Sequence, residues 1–199
     1  EDDILTTLDK SLVVITHNEI SNQSGKTHIE RKLLSRMTLN EFGEENLTCD
    51  IFGALKRGKH QKVISFSFYG DSRKEFKYVE KMLKQIRTKY KGYSARIYYE
   101  GDWMDKNFRC KIECQYSDVV DFCNVNHLPM SLRGILQDED PSVHFGDLSY
   151  MFRSTWNILP IGDTYVDVFM SRNVESLIIQ REIDSVNVWL NSNKYGHIM

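Results

Sequence analysis

An α/β fold, with an open, mostly parallel sheet flanked by helices on both faces, is what the 199-residue sequence predicts. Two observations carry that expectation. Residues 62–100 read strand, helix, strand, which is the size of one right-handed βαβ unit with parallel strands. Residues 147–192 resume the alternation as helix, strand, helix.

Val63, Ile64, Phe66 and Phe68 in KVISFSFYG form a compact apolar run that ends at Gly70 and Asp71, a strand entering a turn. Val79, Met82, Leu83, Ile86 and Tyr90 then recur at helical spacing among lysines and arginines, so an amphipathic helix follows. Gly92 stops it, and ARIYYE is the second strand. Residues 103–116 satisfy two periods: Met104, Phe108 and Ile112 suit a helix, whereas Cys110, Ile112 and Cys114 suit a strand. A helix is favoured, because DVVDFCNV supplies the next strand through Val119, Val120 and Phe122, and parallel neighbours need a crossover. A loop spans Leu128-Pro129 and the polar run 137–141. LSYMFRSTWNILP reads as a helix, YVDVFMSRN as a strand and QREIDSVNVWLNS as a helix with Ile183, Val186, Trp189 and Leu190 on its buried stripe. Trp156 and Trp189 both fall on apolar stripes and belong to the core. The final His197-Ile198-Met199 reads as the opening of one more strand.

The first part of the chain has a different texture. Residues 1–61 read as a polar N-terminal extension whose one short strand is the β-branched run 11–17, and residues 62–199 as the main domain. The basic, glycine-interrupted stretch 56–62 between them is read as a solvated connector in preference to an anion-binding or processing site.

With 26 basic and 28 acidic residues the chain carries a formal charge of -2, so nothing in the total points to nucleic acid or an anionic membrane as partner. No apolar run approaches the ~20 residues of a membrane-spanning helix, and the opening EDDILTTLDK is acidic where a secretory leader is basic and then apolar. Cys49, Cys110, Cys114 and Cys123 are compatible with two disulfides, in a pairing the sequence leaves open, or with thiols; their spacing fits a zinc site poorly. Two glycosylation triplets begin at Asn22 and Asn46. Together with the even cysteine count they place the protein in the secretory pathway or outside the cell.

In an open α/β sheet, ligands bind outside the carboxyl ends of the strands. The candidates are therefore the residues just after each strand: Tyr69, Gly70 and Asp71; Glu100, Gly101 and Asp102; and the run 171–175. No G-x-G-x-x-G or P-loop pattern is present, nor an H-x-x-x-H pair or a G-x-S-x-G elbow. A cysteine nucleophile served by His127 or His144 has no support in spacing.

The run KVISFSFYG, the helix closing on Lys89-Tyr90-Lys91-Gly92-Tyr93, and ARIYYEGD resemble the opening βαβ of GT-A glycosyltransferases, which carry a "YPGW" type turn at that point. The stretch from Phe152 to the end of the chain resembles the same group's "RFLP..D..VD.FLSRDLDS...RE..AV..WL.S....H.MRDHP" segment almost position by position. The resemblance implies a Rossmann-like nucleotide-diphospho-sugar fold for residues 62–199. It implies nucleotide-sugar contacts from Tyr69, Gly70, Asp71, Arg153 and Asp167, with Asp163 as a further ribose or supporting contact; the residues by themselves equally suit Tyr69 as core packing, Arg153 as a helix-surface arginine paired with a neighbouring acid, and Asp163 and Asp167 as ordinary strand-end acids. In that group an Asp-x-Asp pair at the end of the later strand holds Mn²⁺ or Mg²⁺ against the diphosphate, because a hard cation prefers carboxylate oxygens and neutralises the leaving charge. Here the pair reads Asn173-Val174-Glu175, which removes one formal charge and adds a methylene, so metal binding is expected to be weak. The resembling proteins also continue past the position of Met199 into strands that bind the acceptor. The expectation is thus a secreted or lumenal glycosyltransferase-like protein with weakened or lost transfer activity, a pseudoenzyme that binds a nucleotide sugar, a glycan or a protein partner. The alternative is an active metal-dependent glycosyltransferase, or a fragment of one.

Overall fold

The computed structural model describes residues 6–8, 11–21, 27–38, 46–69, 72–101, 104–131 and 145–198. Its centre is a four-stranded, all-parallel sheet made of β4 (Gln61–Phe68), β5 (Tyr93–Tyr99), β6 (Val120–Asn124) and β9 (Val166–Arg172), in the order β6-β5-β4-β9. Between β6 and β9 the chain forms a two-stranded antiparallel ladder, β7 (Leu128–Pro129) with β8 (Phe145–Gly146), and a 3-10 helix over Arg153–Gly162. The helices are α1 (Ile51–Arg57), α2 (Ser72–Lys89), α3 (Lys106–Tyr116) and α4 (Gln180–Leu190).

Side chains alternate across the sheet and divide it into two unlike faces. On one face Ile64, Phe66 and Phe68 of β4 meet Ala95, Ile97 and Tyr99 of β5 and Phe122 of β6, and α2, α3 and α4 cover them with Val79, Leu83, Ile86, Ile112 and Val186. This is the apolar core the helical stripes predict. Trp189 packs against its margin, and Trp156 is fully buried on the other face.

That second face carries Ser65, Ser67, Arg96, Tyr98, Asp121 and Cys123, and its cover comes from α1, the 3-10 helix and the segment leading into α1. Arg96 and Asp163 form an ion pair at 2.6 Å with side chains 1% and 0% exposed. Around them Gln61 Oε1 accepts from Arg96 Nη2 at 3.0 Å, and the Thr48 hydroxyl and amide both donate to Asp163 Oδ2. The Tyr165 amide donates to Asp163 Oδ1 at 2.9 Å. Burial alone would lower the Arg96 pKa, but Tyr98 and Asp163 outweigh it and the guanidinium stays charged.

Cys49 and Cys123 form a disulfide on this face, across 74 positions of chain. It ties the lead into α1 to the edge strand, and a closed loop of that length contributes about 4 kcal/mol in the chain-entropy account. Gly53 lets α1 approach closely: a Cβ there would sit 2.7 Å from Asp121 Oδ1. Arg57, at the end of α1, grips that same carboxylate with Nε at 2.7 Å and Nη2 at 3.0 Å.

Several expectations are corrected. Residues ahead of 62 help to cover the sheet, since Leu47, Cys49, Ile51 and Ala54 are all buried. The stretch 56–62 is the end of α1 and the start of β4 rather than a solvated connector; Lys56 donates to the Ser117 carbonyl at 2.6 Å. The expected strand 11–17 lies within β2 (Ser11–Ser21), and the described residues of 1–45 also form β1 (Thr6–Leu8) and β3 (Thr27–Thr38), which pair antiparallel with it on either side. Antiparallel ladders are made of backbone groups that every residue carries, so pairing needs no apolar run to announce it. The helix expected over 148–160 is a 3-10 helix over Arg153–Gly162, with Pro160 inside it. His197 and Ile198 carry no strand, and Ile198 is exposed.

Replacing Asp163 by Asn leaves Arg96 charged and buried without its counter-ion; urea unfolding should show a loss of about 3–5 kcal/mol.

Candidate functional site

From β4 the chain winds to β5 and β6 on one side and reaches β9 on the other, so the strand order reverses between β4 and β9. The crevice outside the carboxyl ends of two such strands is where open α/β sheets place their ligands. Both strands run the same way, with Phe66 opposite Arg172, so Tyr69 and the turn 173–178 share one edge of the sheet. Gly70 and Asp71 lie outside the described residues. Tyr69 is 41% exposed, which removes the core-packing role a tyrosine at a strand end could have had and leaves ring surface open to stacking.

In the turn after β9, Val174 is buried and anchors the chain while Asn173 and Glu175 are exposed on either side of it. The Glu175 amide donates to Asn173 Oδ1 at 3.0 Å, and the Ser176 amide to the Asn173 carbonyl at 3.1 Å. Asn173 therefore stabilises its own turn with the atom that a metal would need. Among the described residues no group of three or more His, Cys, Asp or Glu side chains gathers as a metal site. Glu175 is the one anionic carboxylate of the pair, and a divalent cation there would have to draw its remaining oxygens from water and substrate.

The turn is held from behind by a buried ion pair that sequence reasoning missed. Arg172 and Glu182 are in direct contact with side chains 11% and 10% exposed. The Tyr90 hydroxyl donates to Glu182 Oε1 at 3.2 Å; burial first, and the Glu182 charge second, push the Tyr90 pKa well above its ordinary value, so it remains a donor. Arg172 Nη2 also donates to the Ser176 and Leu177 carbonyls, curling the chain back. Lys89 Nζ donates to the Ile178 carbonyl at 2.5 Å, and the Ile178 amide to Gln85 Oε1 at 3.0 Å. α2 and α4 thus fix the turn at both ends.

Arg153 opens the 3-10 helix, and its Nη2 lies 2.7 Å from Oε2 of Glu100, the residue that follows β5. It stands at the carboxyl edge, engaged by an acid. Asp167 does not. It is the second residue of β9, at the amino edge, where its carboxylate meets His60 Nδ1 at 2.8 Å; six strand residues put it about 20 Å from Asn173. The expected nucleotide contact is corrected to an exposed pair at the opposite edge. Asp163 is likewise corrected, being sealed in the Arg96 pair, 4% exposed, with no surface for a ribose.

Cys110 and Cys114 stand one turn apart on α3 and take no part in a disulfide. His127 stacks on Phe145, ring centroids 4.0 Å apart, and His144 lies outside the described residues. Of the two glycosylation triplets, Asn22 is outside the described residues; Asn46 is exposed, while the Thr48 hydroxyl of its triplet is buried against Asp163. The disulfide, with no helix among the described residues long and apolar enough to cross a membrane, fits a secreted or lumenal protein.

Comparison with protein-family models, with curated proteins and with solved structures returns no match.

Exchanging Arg172 for Met strands the Glu182 carboxylate in a buried site. The stability should fall by about 3–5 kcal/mol, and the Ser176 to Ile178 amides should lose protection in hydrogen exchange while those of β5 keep theirs.

Proposed function

We propose that this protein is a glycosyltransferase-like binding module of the secretory pathway, built on a GT-A-type nucleotide-sugar scaffold whose metal support has been weakened. Two things support the scaffold: the resemblance over residues 62–100 and 152–199, and the strand reversal between β4 and β9 that brings both stretches to one crevice. The observation that carries the loss of metal support is the Asn173 side chain, whose oxygen is turned to the Glu175 amide. One carboxylate remains where a hard cation is best served by two.

In this reading Tyr69 offers its ring face to the base and Arg153, drawn off Glu100, approaches the phosphates. Glu175 points a charge into the crevice but cannot by itself neutralise a leaving diphosphate. Binding without efficient transfer follows from that imbalance. An active metal-dependent glycosyltransferase would instead recruit Asp71 or a substrate phosphate to complete the ion's shell.

A thermal-shift panel of UDP- and GDP-sugars, with and without Mn²⁺, separates the two. A ligand at a hundredfold over its dissociation constant adds about 2.7 kcal/mol of stability. The proposal expects stabilisation by a nucleotide sugar that Mn²⁺ changes little; a large Mn²⁺-dependent gain identifies the active enzyme, and no shift with any nucleotide overturns nucleotide binding altogether. Asn173→Asp restores the second carboxylate and should tighten Mn²⁺ binding at least tenfold, on the order of 1.4 kcal/mol; unchanged affinity removes these residues from the metal site.

A further inference from the structure

At the amino edge of the sheet, opposite the crevice described above, a cleft of ≈ 380 Å³ opens between the last turns of α1 and α2. Its walls carry Lys56, Arg57, Lys59, Lys62 and Arg87 against one acid, Asp118. Basic residues at helix carboxyl ends are commonplace, since they complement the helix dipole. Two further side chains are not explained that way. Tyr93 and Ser94, the first residues of β5, line the same cleft and are 9% and 4% exposed, yet Tyr93 Oη and Ser94 Oγ find no hydrogen-bond partner among the described residues. A buried hydroxyl left unbonded costs about 1–3 kcal/mol, and the described residues give neither of these an acceptor.

We propose that this cleft binds a tetrahedral oxyanion, the phosphate or sulfate group of a larger ligand. The Tyr93 hydroxyl supplies the donor on which the anion is seated, Ser94 Oγ lies on the other face of the strand, and the surrounding cations supply the charge. Burial holds the Tyr93 pKa above its ordinary value, so its hydroxyl keeps its proton and donates. Lys56 is depressed, by burial first and by the Arg57 charge second, as expected where positive groups crowd a partly closed space. Lys62 is exposed at the rim, its ammonium 5.8 Å from the Tyr93 ring centre, within reach of an anion seated on the hydroxyl. Arg57 and Arg87 are already committed to Asp121 and Asp118 and Lys56 to the Ser117 carbonyl, so they shape the field while Lys62 at the rim can move to the ligand.

The test uses the full chain at constant ionic strength, with chloride as the control anion and inorganic phosphate and sulfate as probes. Calorimetric titration should give saturable binding of at least one of them that chloride does not reproduce. Tyr93→Phe removes one donor and almost no volume and should weaken binding about tenfold; Lys62→Glu should weaken it at least as much, with circular dichroism confirming that both variants are folded. If either variant unfolds, Lys62→Gln, at an exposed position, provides the same reading with a smaller loss. Glucose 6-phosphate and glucose 6-sulfate as paired ligands then identify whether a phosphorylated or a sulfated ligand is the source, and either preference upholds the proposal. Absence of saturable binding by phosphate and sulfate, or wild-type affinity in folded Tyr93→Phe and Lys62→Glu, overturns it. Neither result bears on the nucleotide crevice, which lies at the other edge.

Discussion

Arg96 puts a full positive charge into the middle of a parallel sheet, and the architecture of one face follows from the need to satisfy it. A buried guanidinium without a partner costs several kcal/mol, so the chain must bring an anion and several acceptors to one point. Asp163 supplies the charge, Gln61 a carbonyl, and Thr48 bridges from before α1. Those three partners come from three places far apart in sequence. Closing the network therefore requires the 3-10 helix, β4 and the segment at residue 48 to dock together, and the Cys49–Cys123 disulfide next to Thr48 holds one of them in place.

The consequence is a sheet with two different kinds of cover. The α2, α3 and α4 face is held by apolar area, which is non-directional and tolerates small shifts. The opposite face has a smaller apolar cluster around Trp156 and adds to it charge, hydrogen bonds and a covalent bond, which demand particular atoms in particular positions. A second buried pair, Arg172 with Glu182, uses the same device to fix the turn at the carboxyl end of β9.

The two proposed binding sites lie at opposite edges of the sheet. At the carboxyl edge, Tyr69 and the Asn173–Glu175 turn sit where strand order reverses, with Asn173 spending its side-chain oxygen on local structure. At the amino edge, cations collect around Tyr93 and Ser94, whose buried hydroxyls find no acceptor among the described residues. A scaffold can keep the first site's geometry while losing its chemistry, because the fold needs only the turn, whereas metal-assisted transfer needs both carboxylates.

What the sequence determined by itself is the succession of elements in the α/β region. The stripe Val79, Met82, Leu83 and Ile86, the stop at Gly92 and the apolar run 63–68 each encode a local period, and a local period can be read without knowing what it packs against. The ambiguous stretch around Cys110 also resolved as a helix, because parallel strands need a crossover. The antiparallel strands of 1–45, the disulfide pairing and the placement of Asp163 and Asp167 could not be read in this way. Asp163 and Asp167 are four residues apart, yet one is sealed beneath the sheet and the other lies at its exposed amino edge. Only the tertiary structure decides such assignments, since a charge's role depends on the dielectric and the partners around it, and those arrive from distant parts of the chain.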